Sequence, residues 1–499
     1  MSACRTAAVA ASIWALGVVA ILVGAWGLVP DGPNGHVAWI GALVSTAAHA
    51  LASRGATRQV RRAMIAASVV AMAGLAFAAP LFSDDVWRYI ADGHVGAAGL
   101  NPYAWPPSSP KVHDLVHPWL AQINHPELPT IYPPVAQAVF AGLAILGAGA
   151  TGFRLAAIGA WAAAAALAER MRPATEARAG AGWWMLTHPL ALLSVGANGH
   201  VDAFGVLALV AGLLAWQLGS RHDGHARDVL RGHLAGAVAL GLAAGVKLFP
   251  VGLGVALFGR HRLRRVVAVG VVSTAVLAAT YVPIVAGGGP AFGSLGRYAE
   301  AWTYNAGPQA VAQTAIDAGM RAAGVPSSVE VAPISRWREA RGETTVYGGE
   351  ATSDAWYGRN ELARAATRLL ALLALVVSAL VVRRRRLEPV AATTAVLVVL
   401  FAASPVVHPW YLLWVLAPAA ICGDRVALAW CGSTVVAFGA AARTLDGGPW
   451  TDPVFARCIV YAVPVIVAIL AARRTPAPFD NPAPADTVED DSAERVRRG

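Results

Sequence analysis

The run Ser83-Asp84-Asp85-Val86-Trp87-Arg88-Tyr89-Ile90-Ala91-Asp92-Gly93 begins just after an apolar stretch that ends at Pro80, and Leu100-Asn101-Pro102-Tyr103 follows it closely. Paired carboxylates in that setting point to chemistry at a membrane surface. A carboxyl partly withdrawn from water holds its proton more tightly and can serve as a general base. If Phe82–Val95 is helical, Asp85, Arg88, Tyr89 and Asp92 fall at i, i+3, i+4 and i+7 on one face, with two acids flanking one arginine. The plainer reading is a solvated ion-pair ladder worth roughly a few tenths of a kcal/mol. The position at the end of an apolar run favours the chemical one.

Other polar clusters interrupt apolar sequence further along. They are His125-Pro126, Thr130-Ile131-Tyr132-Pro133-Pro134, Asn198-Gly199-His200-Val201-Asp202, Lys247-Leu248-Phe249-Pro250, Arg297–Asn305 and Ser404-Pro405-Val406-Val407-His408-Pro409-Trp410-Tyr411. Polar groups beside hydrocarbon are costly, so they are functional candidates by default. Singly each is weak: His188 or His200 serves as well to close a helix end, and Trp302 and Tyr304 fit interfacial anchoring as well as carbohydrate contact. Cys4, Cys422, Cys431 and Cys458 lie in or beside apolar segments without a CxxC pair or a histidine at ligand spacing, so they read as packing residues and no metal site is expected. The chain has no Walker A, HExxH or GxSxG sequence and no dinucleotide fingerprint.

The elements that must position these residues are membrane helices. Of 499 residues, 57% are hydrophobic and 14% charged, with a mean hydropathy of +0.54, more apolar surface than a soluble domain can bury. Runs such as Ala7–Val29, Met64–Phe77, Val266–Val285, Leu370–Val382 and Ala391–Ala403 approach or exceed the length that crosses about 30 Å of hydrocarbon. The expectation is an all-α polytopic membrane protein with about 12–14 membrane segments. The first run is kept as a helix because another apolar run, His36–Ala52, follows it without a clean cleavage site.

The net charge of +10 resides largely in arginine clusters at Arg54–Arg62, Arg170–Arg178, Arg221–Arg231, Arg260–Arg265, Arg383–Arg386 and Arg473–Arg474. The positive-inside rule puts all six in the cytoplasm and leaves two large loops, residues 81–131 and 287–362, outside. That assignment requires Tyr132–Ala148 not to cross. It also suggests that His233–Leu257 is a hairpin of two half-helices broken near Lys247–Pro250, with Lys247 at its tip. Residues 1–472 then form one transmembrane domain, and 473–499, rich in Pro, Ala and acidic residues, a disordered cytoplasmic tail.

The order Asp84-Asp85-Val86-Trp87-Arg88-Tyr89…Asp92-Gly93…Gly99-Leu100-Asn101-Pro102-Tyr103, then Thr130-Ile131-Tyr132-Pro133-Pro134, resembles bacterial lipid-linked-sugar glycosyltransferases of the GT-C fold. It is most similar to glycosyltransferase family 87 and related actinobacterial mannosyltransferases. Arg297–Asn305, the Lys247–Pro250 break and the His408-Pro409-Trp410-Tyr411 turn extend the likeness from about residue 80 to 415. The resemblance implies an integral membrane enzyme that moves a hexose, mannose above all, from a polyprenyl-phosphate sugar to a cell-envelope glycolipid or polysaccharide, with inversion, on the outer face of the bacterial inner membrane. It implies an acidic base in the first outer loop. An Asp-x-x-x-Tyr spacing selects Asp85, with Asp84 orienting the acceptor.

The departing lipid phosphate carries negative charge and needs cations near it, for which Arg88, Lys247, Arg297 and His408 are the candidates. Lys247 and His408 are preferred, since both lie next to hydrocarbon. Tyr89, Asn101, Tyr103, Tyr132, Asn198, Asp202, Trp302 and Asn305 complete the expected substrate contacts. No cofactor and no divalent metal is implied, and no nucleic-acid partner. Residues 306–359 form an apparent insertion that suits an acceptor lid. The competing readings are a flippase or other transporter of lipid-linked saccharides, expected to carry its ionisable residues near the midplane, and an acyl- or phosphotransferase with His408 as base. A purely structural membrane protein would leave the polar clusters unexplained.

Overall fold

The structure is a computed structural model that describes residues 2–171, 180–221, 226–250, 253, 263–288, 290–330, 346–347, 350–351 and 356–473. The proposed tail lies outside the described residues, as does much of the second half of the 306–359 insertion. Among the described residues ten helices are long and apolar enough to cross a membrane, so the chain is a polytopic membrane protein. Three shorter apolar helices, Pro134–Ile145, Pro389–Ala402 and Pro409–Cys422, accompany them. The exceptions to the helical architecture are two small antiparallel ribbons, Ser328–Glu330 with Trp356–Gly358 and Val346–Tyr347 with Glu350–Ala351.

The core is built from small residues that let helix backbones approach closely, with Trp14, Trp161 and Trp414 filling the wider gaps. Each of these indoles finds an acceptor. Trp14 and Trp161 donate to the carbonyls of Thr187 and Met185, and Trp414 to the Asp202 carboxylate. Outward-facing Val267, Val271, Val282 and Val285 give the Leu263–Ala286 helix an apolar outer surface that suits lipid.

The helices run between two chemically different ends. Asp202–Arg221 and Ala226–Val246 pack antiparallel, joined by the Lys247–Asp202 ion pair at one end and by the close approach of Gly232 to Gly219 near the other. About 20 residues at 1.5 Å each separate the ion pair from the Arg221–Arg231 cluster by about 30 Å. The Arg58–Phe77 helix likewise leads from Arg61, beside Gly180, to the Asp84-Asp85 segment. Residues 181–197 run the same way as the helix Ala181–Thr187, a short turn at Pro189–Ala191 and a π turn over Leu192–Ala197, and deliver Asn198 to the backbone of Leu81.

Two expectations are corrected here. His233–Leu257 does not begin as a half-helix: Ala226–Val246 is one helix of 21 residues, long enough to cross, and Lys247 stands just past its end. Proline at 250 explains why the helix cannot continue, but the apolar run before it already spans. The ladder on the Asp84-Asp85 helix is also different. The helix runs Asp85–Ala97, and Arg88 pairs with Asp92 alone, largely buried rather than solvated. Pro134–Ile145 has 12 residues, about 18 Å at helical rise, and is too short to cross, as the topology required. It packs so closely on the Asp85–Ala97 helix that a side-chain carbon on Gly93 would sit 2.5 Å from the Phe140 carbonyl oxygen.

Candidate active site

A cleft of about 790 Å³ opens at the end of the bundle away from Arg61 and Arg231. Its walls come from six stretches of the chain: residues 80–88, the 124–132 loop, Lys247, the 294–304 loop, the 408–411 turn and residues 441–450.

The Asp84-Asp85 segment is held from behind. Asn198 Oδ1 accepts from the amides of Leu81 (3.0 Å) and Phe82 (3.1 Å), so a fully buried amide fixes the strand that enters the pair. Gly199, at φ +65°, makes the turn that follows Asn198, in a region that L side chains rarely adopt. Asn124 Nδ2 donates to Asp84 Oδ1 at 2.6 Å and turns that carboxylate toward the 124–132 loop. Asp85 faces the cleft with about a fifth of its side chain exposed, and its Oδ2 lies 3.5 Å from both the Tyr89 hydroxyl and His200 Nδ1.

The Asp85 carboxyl is raised to about 7, by burial first and by the Asp84 charge second, with Lys247 pulling against both. Burial also raises Asp84, opposed by its backbone hydrogen bond and by Asn124. Asp85 therefore sits where a carboxyl can take up and release a proton near neutrality. Burial lowers His200 far below the usual imidazole value, so its contact with Asp85 is that of a neutral ring.

Lys247 Nζ donates to Oδ1 and Oδ2 of the fully buried Asp202 at 2.8 and 2.7 Å, and Trp414 Nε1 donates to Oδ1 at 2.7 Å. An ammonium has three N–H bonds, so one remains for the cleft. The same nitrogen sits 4.4 Å from the centre of the Tyr411 ring.

Opposite stands an aromatic stack. Trp410 lies between His200 (centroids 4.0 Å apart) and His408 (4.4 Å), and His408 rests on Tyr304 at 5.0 Å. Burial, with Lys247 second, lowers His408 to about 3, so it lines the cleft as a neutral imidazole whose Nδ1 has no partner. Tyr304 is anchored by its hydroxyl to the Ala437 carbonyl, and its backbone zips to the 405–407 segment: Tyr304 N donates to Pro405 O and Val407 N to Tyr304 O.

Of the residues selected from sequence, Asp84, Asp85, Arg88, Tyr132, Lys247, Trp302 and His408 line this cleft. Arg88 does so with its guanidinium committed, Nε to Asp92 at 2.8 Å and a terminal nitrogen to the Leu128 carbonyl at 2.8 Å. Tyr89 and Asp202 stand directly behind Asp85 and Lys247. Asn198 and Tyr103 are scaffold: Tyr103 is buried and donates to the Tyr132 carbonyl, while Asn101 caps the Tyr103 amide. Asn305, at φ +48°, lies just outside, with its Nδ2 donating to the Val407 carbonyl. Arg297 is exposed and is not among the residues that line the cleft.

Sequence reasoning passed over Trp450 and Asn124 as wall residues and Trp414 as a partner for Asp202, and it named Trp410, Tyr411 and Tyr298 only within their clusters. The signal for Trp414 was present, because an indole inside an apolar run must find an acceptor.

Comparison with known families decides the class. The profile described as alpha-(1->6)-mannopyranosyltransferase, N-terminal domain, matches residues 3–284, and that of the MptB C-terminal domain matches residues 357–473. This chain belongs to the alpha-(1->6)-mannopyranosyltransferase family. It is a mannosyltransferase built on a multi-pass membrane bundle. The two matches divide the cleft between them, with Asp84, Asp85 and Lys247 in the first and His408 and Trp410 in the second. No curated protein and no solved structure matches the chain.

Proposed function

We propose that this enzyme transfers mannose from a polyprenyl-phosphate donor to a hydroxyl of a cell-envelope glycolipid or polysaccharide, with inversion, on the extracytoplasmic face of the bacterial inner membrane. Asp85 is the base. It takes the acceptor proton as the acceptor oxygen attacks the anomeric carbon, while the bond from that carbon to the phosphate oxygen breaks and the lipid phosphate leaves with the electron pair. The observation that carries this reading is a carboxyl brought to about 7 by burial at the floor of a cleft that also presents Lys247.

The leaving phosphate meets the remaining N–H of Lys247 and a neutral His408, whose ring donates a hydrogen bond without a formal charge. Arg88 supports the site from behind, through Asp92 and Leu128, instead of meeting phosphate. Asp84, held by Asn124, orients the acceptor. Tyr132 and Trp302 line the sugar's path. The chemistry as proposed assigns Asp85 to proton removal and Asp84 to acceptor orientation and routes no step through a metal. The outer orientation is supported by the arginine clusters at the other end of the helices.

The test is transfer of radiolabelled mannose from polyprenyl-phosphate mannose to endogenous glycolipid in membranes carrying the wild type, Asp85→Asn or Asp84→Asn at matched expression. Loss of transfer in Asp85→Asn, with activity retained in Asp84→Asn, is the expected result. The converse pattern would move the base to Asp84, and wild-type transfer equal to that of membranes lacking the protein would overturn the donor.

A further inference from the structure

Two smaller cavities adjoin the cleft across one short stretch of chain. Thr303 and Tyr304 line both the cleft and a cavity of about 250 Å³, whose other walls include Gln309, Gln313, Thr314, Asp317 and Arg457. Tyr304 and Asp452 also line a third cavity of about 150 Å³, walled in part by Asn305. The larger is several times the roughly 30 Å³ that a water molecule occupies in the liquid.

The chemistry of these walls selects among ligands. The larger cavity is walled by two primary amides, of which Gln309 Nε2 already donates to Gln313 Oε1 and Thr367 Oγ1, by two threonine hydroxyls and by the ring of Tyr304, a polar lining of the kind that meets sugar hydroxyls. Its carboxylates are already matched, Asp317 by Arg321 and Arg359 at 2.7 Å each and Asp452 by Arg457 at 3.6 Å. The wall itself carries two carboxylates and one arginine, so a phosphate would meet net negative charge there, and a lipid tail would find only Ala306, Ala310 and the Tyr304 ring. Asn305 supplies a second, independent sign. It is held by its Nδ2 to Val407 O, by its amide to Asp452 and by its carbonyl to the Tyr461 hydroxyl, yet its Oδ1 is buried without a partner. A buried acceptor left open is costly, and a hydroxyl donor entering the third cavity, which Asn305 lines, would satisfy it.

We propose that these side cavities form a subsite for the sugar residues of a neutral oligosaccharide acceptor that lie behind the hydroxyl being mannosylated. The proposal rests on the transfer reaction proposed above and deepens it: the enzyme extends a glycan chain and reads more than its terminal sugar. Tyr304 is the divider, with the reacting sugar on the cleft side of its ring and the preceding residues toward Gln313 and Thr314.

The experiment uses octyl mannosides of one to four residues joined α-(1→6) as acceptors for the full-length enzyme in detergent. In the wild type KM falls by about tenfold between the one-sugar and three-sugar acceptors, equivalent to 1.4 kcal/mol. Thr314→Trp, which fills the larger cavity from a position outside the cleft, abolishes that gain and leaves transfer to the one-sugar acceptor at the wild-type rate, and Thr314→Ser retains the gain. Saturation-transfer NMR with mannotriose, which needs no donor, gives contacts that the wild type shows and Thr314→Trp loses. KM independent of acceptor length, or a gain that survives Thr314→Trp, overturns the subsite. Absence of transfer to every acceptor would overturn the reaction itself, and in that case the mannotriose signal alone decides the subsite.

Discussion

If Asp84 helps to hold the proton on Asp85, removing its charge must move the pH dependence of the enzyme. Asp84→Asn is the cleanest perturbation, because the amide keeps an oxygen for Asn124 to donate to. Burial is the larger cause of the raised value and remains; the Asp84 charge is the second cause and goes. A unit charge at a few ångströms is worth about 1 kcal/mol in water and about 4 at an effective dielectric of 20. A neighbour in a half-open cleft, between these limits, should contribute on the order of 1.4 kcal/mol, or about one pH unit.

With Asp85 as the proposed base its ionised form is the active one, and activity should then rise with pH through about 7 in the wild type and through about 6 in Asp84→Asn. At pH 6 about a tenth of the wild-type sites are ionised against about half in the variant, so kcat/KM at pH 6 relative to pH 8 should rise about fivefold. The assay is a pH–rate profile of mannose transfer at subsaturating acceptor. An acid limb that stays at 7, or moves upward, would refute the electrostatic argument. Complete loss of activity at every pH would refute the choice of base.

Three further outcomes follow from the geometry. A carboxyl whose folded value lies above 3.8 favours the neutral state, so its contribution to stability is present at low pH and is lost as pH rises toward 7; Asp85→Asn should therefore raise the melting temperature at pH 8 and leave it nearly unchanged at pH 4, with about 4 kcal/mol as the ceiling from a shift of 3.8 to about 7. Lys247→Met strands the fully buried Asp202 and should cost about 3–5 kcal/mol, whereas adding Asp202→Asn should restore folding but not transfer, as fluorescence-detected size exclusion and the mannose assay would register separately. Arg297→Ala should leave transfer intact, while Asn198→Ala, which frees two buried amides, should destabilise the protein by about 2–4 kcal/mol and lower kcat, since the Asp84-Asp85 segment loses its anchor.

Composition and hydropathy were enough for the helical membrane architecture, because lipid leaves the backbone few alternatives. The polar interruptions were also legible as a group: Asp85, Lys247 and His408 meet in one cleft although about 320 residues separate the first from the last. Partner choice was not legible. Spacing on the Asp85–Ala97 helix allowed Arg88 to face either acid, and packing against the 124–132 loop decided for Asp92. Asn198 and Asn101 looked like substrate contacts because polar residues beside hydrocarbon are rare, but backbone amides buried at sharp turns also need acceptors. The continuous Ala226–Val246 helix was hidden by the proline at 250, which signals an end without saying how far back the helix began.

The clip between Tyr304 and the 405–407 segment has a consequence for biosynthesis. Asp85 and Lys247 leave the ribosome well before His408 and Trp410, and a chain inserted only as far as Tyr304 has most of its cleft wall but no stack to close it. Insertion proceeds from the N-terminus, so the catalytic centre is among the last features to come together, sealed when the late turn adds its main-chain hydrogen bonds to a strand that has waited in place. A nascent or truncated chain then holds a buried carboxyl without the groups that would let it act on a costly activated sugar. Competence for turnover becomes a check that the whole protein has been threaded into the bilayer.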